Sequence, residues 1–194
     1  EILIGLVGSE MCIRDRIKGT KNPQKMLQTG IPFTKKPVAL QFDYKVKMSD
    51  RENRIRATGF SKITDVPGKD YPAAILLLQK RWEDANGNVY AKRIGTMVTY
   101  YYHSTDWKNN ATYEIMYGDI TNRPEYKSHM MRLQATESYT VNSKGESVPI
   151  HEVAWGDEND VPTHMCLQFT SSHGGAYIGS PGNTLWIDNV KLVY

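Results

Sequence analysis

The chain has 194 residues, 40% of them hydrophobic, with a mean hydropathy of −0.53 and a formal net charge of +3. That suffices for one well-buried core and argues against a disordered or membrane-embedded chain. Lys and Arg are interspersed with acids and no transmembrane run occurs, so neither nucleic acid nor direct membrane insertion is expected.

Residues 1–16 stand apart. Leu6–Arg16 (LVGSEMCIRDR) resembles a peptide found at the ends of unrelated metagenomic proteins, where sequencing-adapter DNA has been translated. The first sixteen residues are read as such an artefact, which leaves residues 17–194 as a single β-sandwich domain. On this reading the native N-terminus lies upstream, an upstream domain of the same chain is an expected partner, and Cys12 drops out. Cys166 then stands alone, so no disulfide framework or cysteine-based metal site is expected.

In chain order, Ile17–Lys36 reads as loop with a short strand. Val38–Met48 alternates strictly, with Val38, Leu40, Phe42, Tyr44, Val46 and Met48 on one face and Gln41, Asp43, Lys45 and Lys47 on the other. That pattern predicts a half-buried strand of an antiparallel sheet. Ser49–Gly59 is polar and reads as loop. Ala73–Leu78 is continuously apolar after Pro72, which predicts a strand covered on both sides. Asp84–Asn88 is a turn, with Asn86-Gly87 supplying the positive φ of a tight hairpin between Ile75–Trp82 and Val89–Ile94. Further strands are expected over Thr96–His103, Thr112–Tyr117, Arg132–Val141, Val148–Trp155, Met165–Ser172 and Leu185–Tyr194. Between the later strands lie turn-rich segments at Asn142–Gly145, Gly156–Pro162 and His173–Asn183, and Glu125–Leu133 is the one candidate helix.

The last strand carries a phase shift. Leu185 and Ile187 alternate, then the apolar phase jumps past Asp188, and Val190, Leu192 and Tyr194 continue it. One inserted residue accounts for this, so a β-bulge is expected at Asp188-Asn189. Short strands between polar turns point to an all-β fold, a two-sheet antiparallel jelly-roll β-sandwich, with an up-and-down barrel as the alternative.

Three segments carry a family likeness: GIPFTKKPVALQFDYKVKM (Gly30–Met48), WKNNATYEIMY (Trp107–Tyr117) and THMCLQFTSSHGGAYIGSPGNTLWIDNVKLVY (Thr163–Tyr194). Together they resemble the carbohydrate-metabolism domain found at the C-terminus of secreted and surface lipoproteins of Bacteroidetes. The resemblance implies a jelly roll like those of carbohydrate-binding modules and an exported protein, periplasmic or at the cell surface, with a glycan as partner. It brings no catalytic set. The chain departs from the family pattern at Gln41-Phe-Asp43 and in a longer middle region.

Sugar recognition needs flat aromatic faces for the C–H side of a pyranose, with amides and carboxylates for its hydroxyls. The candidates are Trp107, in the polar loop DWKNN; Tyr100 and Tyr102, which share a strand face opposite Tyr101; and Trp155, at a strand end above an acidic loop. Since Val98 aligns with Tyr100 and Tyr102, that face is expected to be the core one. Asp157 and Asp160, with Asp188 if the segments approach, are candidate oxygen ligands for a structural calcium, although no cofactor is required. The alternatives are a solvated acidic turn and a bulge carboxylate that accepts backbone N–H groups. No paired-carboxylate motif, HExxH or G-x-S-x-G elbow occurs. The expected activity is non-catalytic glycan binding. The alternatives are a structural module packing on the upstream domain and, third, a glycoside hydrolase or lyase.

Overall fold

A computed structural model describes residues 25 and 27–194, apart from 58–61, 128, 131, 135, 136 and 176. Residues 1–16, and the artefact reading with them, lie outside the described residues. The described residues form thirteen strands in order: β1 (Ile31–Pro32), β2 (Ala39–Lys47), β3 (Arg54–Arg56), β4 (Thr64–Val66), β5 (Ala73–Glu83), β6 (Val89–Tyr100), β7 (Thr105–Glu114), β8 (Met116–Tyr117), β9 (Tyr139–Val141), β10 (Ser147–Trp155), β11 (His164–Thr170), β12 (Ile178–Gly179) and β13 (Thr184–Val193). The described part of Glu125–Leu133 is turn and irregular chain rather than helix.

The strands form a seven-stranded sheet, β1-β11-β5-β6-β10-β9 with β8 also on β6, and two three-stranded sheets, β13-β2-β7 and β12-β3-β4. The seven-stranded sheet and β13-β2-β7 pack face to face around the main core, so the protein is an all-β, sandwich-like fold. Leu40, Phe42 and Val46 of β2 meet Ala74, Leu76 and Leu78 of β5 and Met97 of β6 in a single cluster. Phe42 spans the gap, edge-on to Phe169 of β11 at 5.0 Å and stacked on Tyr113 of β7 at 5.2 Å. Burying side chains of this size contributes about 1.5–3 kcal/mol each.

Ala73–Gln79 is buried at every position, as a strand covered on both faces requires. The second face carries its own apolar group, Ala73, Ile75, Leu77, Val98 and Cys166, with Met130 packed against it. It also carries a buried polar hub. The Glu152 carboxylate accepts from Arg93 Nε at 2.7 Å, from Arg93 Nη2, from Gln79 Nε2 at 2.6 Å and from the backbone N–H of Gln134 at 2.7 Å.

The pairing departs from an all-antiparallel expectation at one place. β10 runs parallel to β6, with Ile150 opposite Val89 and Trp155 opposite Arg93. Parallel neighbours need a crossover connection; β8 and β9 both run antiparallel to β6, and the chain turns back between β9 and β10 to bring β10 parallel to it. The β5–β6 hairpin closes with Glu83 opposite Val89, so its loop is five residues long rather than a two-residue turn. Only Gly87 has positive φ (93°), and Asp84 holds the loop by accepting the N–H groups of Asn86 and Asn88.

Candidate functional site

The outward face of β13-β2-β7 is built by the alternation of β2. Leu40, Phe42 and Val46 point to the core, so Gln41, Asp43, Lys45 and Lys47 point away from it. Register places Lys45 opposite Trp186 of β13. On the other side Tyr44 pairs with Lys108 and Val46 with Thr105, so both Asp106 and Trp107 oppose Lys45 across a β-bulge. Trp107 is therefore a strand residue, not the loop residue its polar neighbours suggested. The bulge breaks the alternation that would have revealed the strand.

Two tryptophans thus flank one lysine, Trp107 47% exposed and Trp186 40% exposed. Lys45 Nζ lies 5.9 Å from the centre of the Trp186 ring and 3.8 Å from Asp106 Oδ1. A shallow hollow of about 440 Å³ opens here, lined by Lys45, Lys47, Ser104, Thr105, Asp106 and Trp186.

Asp43 organises the middle of the same face. On β7 two residues, Asn109 and Asn110, oppose Asp43; on β13 Asn189 and Val190 oppose Phe42. Bulges therefore flank β2 on both sides, and one asparagine in each, Asn110 and Asn189, has a φ of 52°. Asn tolerates this left-handed region better than other residues with a Cβ. Asp43 fastens both: Oδ1 accepts the Asn110 N–H at 2.5 Å and Oδ2 accepts Asn189 Nδ2 at 2.6 Å. The bond from Asn189, then that from Asn110, and after them the charge of Lys191 hold its carboxyl below the usual carboxylate range. Asp188 lies directly opposite Asp43, and its Oδ1 accepts the N–H of Asn189 at 2.7 Å. The bulge read from the sequence at Asp188-Asn189 is present.

The other candidates fall elsewhere. Tyr101, not Tyr100 or Tyr102, points into the main core and is 6% exposed. The alignment with Val98 pointed the wrong way because β6 is covered on both faces, so Val98 is buried without marking the main core. Tyr100 is half-buried, stacked on His129 at 4.8 Å and met edge-on by His173 at 5.5 Å. Tyr102 is 47% exposed and packs on Tyr71 at 4.7 Å. Trp155 is half-buried at the end of β10, its ring 5.5 Å from the guanidinium of the buried Arg93. Trp107 and the tyrosines are not brought into one site.

Asp157 and Asp160 fold into their own turn. Asp157 Oδ1 accepts the Asn159 N–H, Asp160 Oδ2 accepts the Asp157 N–H, and Asp160 Oδ1 pairs with Lys80 at 2.7 Å. They belong to the loop after β10, whereas Asp188 is on β13. Among the described residues no three His, Cys, Asp or Glu side chains are grouped to hold a metal ion.

Sequence reasoning left Trp186, Lys45 and Asp43 out of the binding candidates. Their signal was available: each sits at the outward parity of a strand whose inward parity is apolar. Trp82 was also missed. It is exposed on β5 and stacks on Tyr90 of β6 at 5.9 Å, and Tyr90 in turn lies 5.7 Å from His151 of β10. No family model matches the chain, and no curated protein matches it.

Proposed function

We propose that this protein is a non-catalytic carbohydrate-binding module of jelly-roll type, part of an exported glycan-handling protein, and that it binds glycan across the outward face of β13-β2-β7. The observation that carries the reading is the pair of exposed tryptophans flanking Lys45, beside asparagines and carboxylates held in fixed positions. Indole faces offer apolar area for the C–H side of sugar rings, and the amide and carboxylate groups complement hydroxyls. Fixed side chains lower the ordering cost of binding. Lys45, Lys47 and Lys191 alternate with Asp43, Asp106 and Asp188 on this face, so it suits a neutral, hydroxyl-rich polymer better than a polyanion.

The test is retention on affinity gels and glycan arrays spanning plant, host and microbial polysaccharides. Retention is expected, with little dependence on salt. Trp107→Ala and Trp186→Ala should each weaken it about tenfold, equivalent to about 1.4 kcal/mol, without changing the unfolding midpoint. Lack of retention on every glycan would sink the proposal and favour a structural module that packs on another domain.

A further inference from the structure

β7 ends at Glu114, Ile115 crosses between the sheets, and β8 joins the edge of β6 only at Gly95 and Thr96. β6 continues to Tyr100, still paired on its other side with Ala73–Leu76 of β5. Among the described residues no strand pairs with the β8-side edge of β6 from Met97 to Tyr100. A cleft of about 320 Å³ opens along this edge, with Thr112–Glu114 of β7 across it and Lys127, His129 and Met130 beside it.

The chemistry of this cleft is distinct from that of the tryptophan face. Tyr100 is pinned between His129 and His173, and the exposed Tyr102 ring stands 6.4 Å from Tyr100 at the mouth. Glu114 and Lys127 carry opposite charges, and neither side chain has a hydrogen-bond or ion-pair partner among the described residues. Burial, and then Lys127, keep the His129 pKa below its ordinary value, so at neutral pH the imidazole offers one donor and one acceptor. A ring-sized space with aromatic walls, donors and acceptors on both sides and no excess charge suits a small polyol. The volume lies at the low end for small-molecule sites, which fits one ring rather than a stretch of polymer.

We propose that this cleft is a second binding site that seats a single pyranose, with Tyr102 and Tyr100 against the ring and Glu114 and Lys127 on its hydroxyls. The ring is either a free monosaccharide or the terminal unit of a glycan chain. The site stands on its own groups, and its fate is separable from that of the tryptophan face.

The experiment is titration of the whole protein with a panel of methyl glycopyranosides, followed by calorimetry and saturation-transfer NMR. One or more members should bind saturably. Tyr102→Ala, Glu114→Gln and Lys127→Ala should each weaken that binding about tenfold or more, whereas Trp107→Ala should leave it unchanged. Thermal unfolding of each variant verifies the fold. If the corresponding oligosaccharide competes through an unmodified terminal ring, the ligand is a chain end; if only the monosaccharide binds, it is a free sugar. Two results overturn the proposal: no saturable binding across the panel, or binding abolished by Trp107→Ala and untouched by the cleft substitutions.

Discussion

The two main sheets each build a hub on one carboxylate, and the two hubs serve opposite ends. Glu152 sits in the covered face of the seven-stranded sheet, where Arg93, Gln79 and the Gln134 N–H converge and neither member of the ion pair exposes its side chain. Asp43 sits in the open face of β13-β2-β7, half-buried, and fastens two bulges there. The first hub ties Gln134 to the sheet, because Gln134 and Glu152 also share a backbone hydrogen bond. The second shapes a surface. A buried hub bears on stability, and an exposed one bears on geometry.

The sharpest way to break this contrast is Glu152→Ala. It leaves the buried Arg93 without its counter-charge and should cost about 3–5 kcal/mol, read as a lower urea midpoint. A loss below about 1 kcal/mol would mean that water reaches the hub and that the contrast fails. Next in size is Asn189→Ala, which keeps a Cβ at positive φ while removing the amide held by Asp43. It should cost about 1–2 kcal/mol, whereas Asn189→Gly should cost less because Gly adopts the conformation without strain. If Asn189→Ala proves as stable as Asn189→Gly, the left-handed geometry of the bulge is wrong.

Asp43→Ala should shift the unfolding midpoint far less than Glu152→Ala yet weaken glycan retention severalfold, because Asn110 and Asn189 lose their common anchor. Equal effects on stability from the two hub variants would erase the distinction.

The smallest effect concerns pH. Burial holds His129, His164 and His173 below the ordinary imidazole value, His164 at about 4, with the charge of Arg81 adding to burial there. The unfolded chain takes up these protons near pH 6.5, whereas folded His164 does not until about pH 4. The contribution is thus complete above pH 6.5 and is lost as pH falls toward 4. All three histidines lie with the seven-stranded sheet or the segments against it. Asp43 is also shifted downward, so its contribution fades only at still lower pH, below the ordinary carboxylate value of 3.8. A modest fall in the unfolding midpoint between pH 6.5 and 4, flattened by His164→Asn, is expected; a flat profile in the parent protein would contradict it.

What the sequence revealed was whatever burial writes into a single strand. The alternation of β2 disclosed its inward and outward residues, the unbroken apolar run of β5 disclosed a strand covered on both sides, and the phase jump at Asp188 disclosed a bulge. The same logic missed features set by partners. β3, β4 and β12 are two or three residues long and are held by backbone pairing, so they carry no pattern. β7 is exposed along most of its length and twice bulged, which hid Trp107 in apparent loop. The parallel pairing of β10 with β6 depends on where a long connection returns, and no local signal records that. The tryptophan face needed cross-strand register: Trp107, Lys45 and Trp186 are distant in sequence and become neighbours only when β7, β2 and β13 align.

The twin bulges also bear on how copies of this protein treat one another. Among the described residues β7 and β13 form the two edges of their sheet, and each could template a strand from a second molecule. Bulges on both interrupt the edge ladders and increase the local twist, and Lys108 and Lys191 put charge on them. The asparagines that shape the outward face thus also make the flanks of the sheet poor seeds for edge-to-edge aggregation.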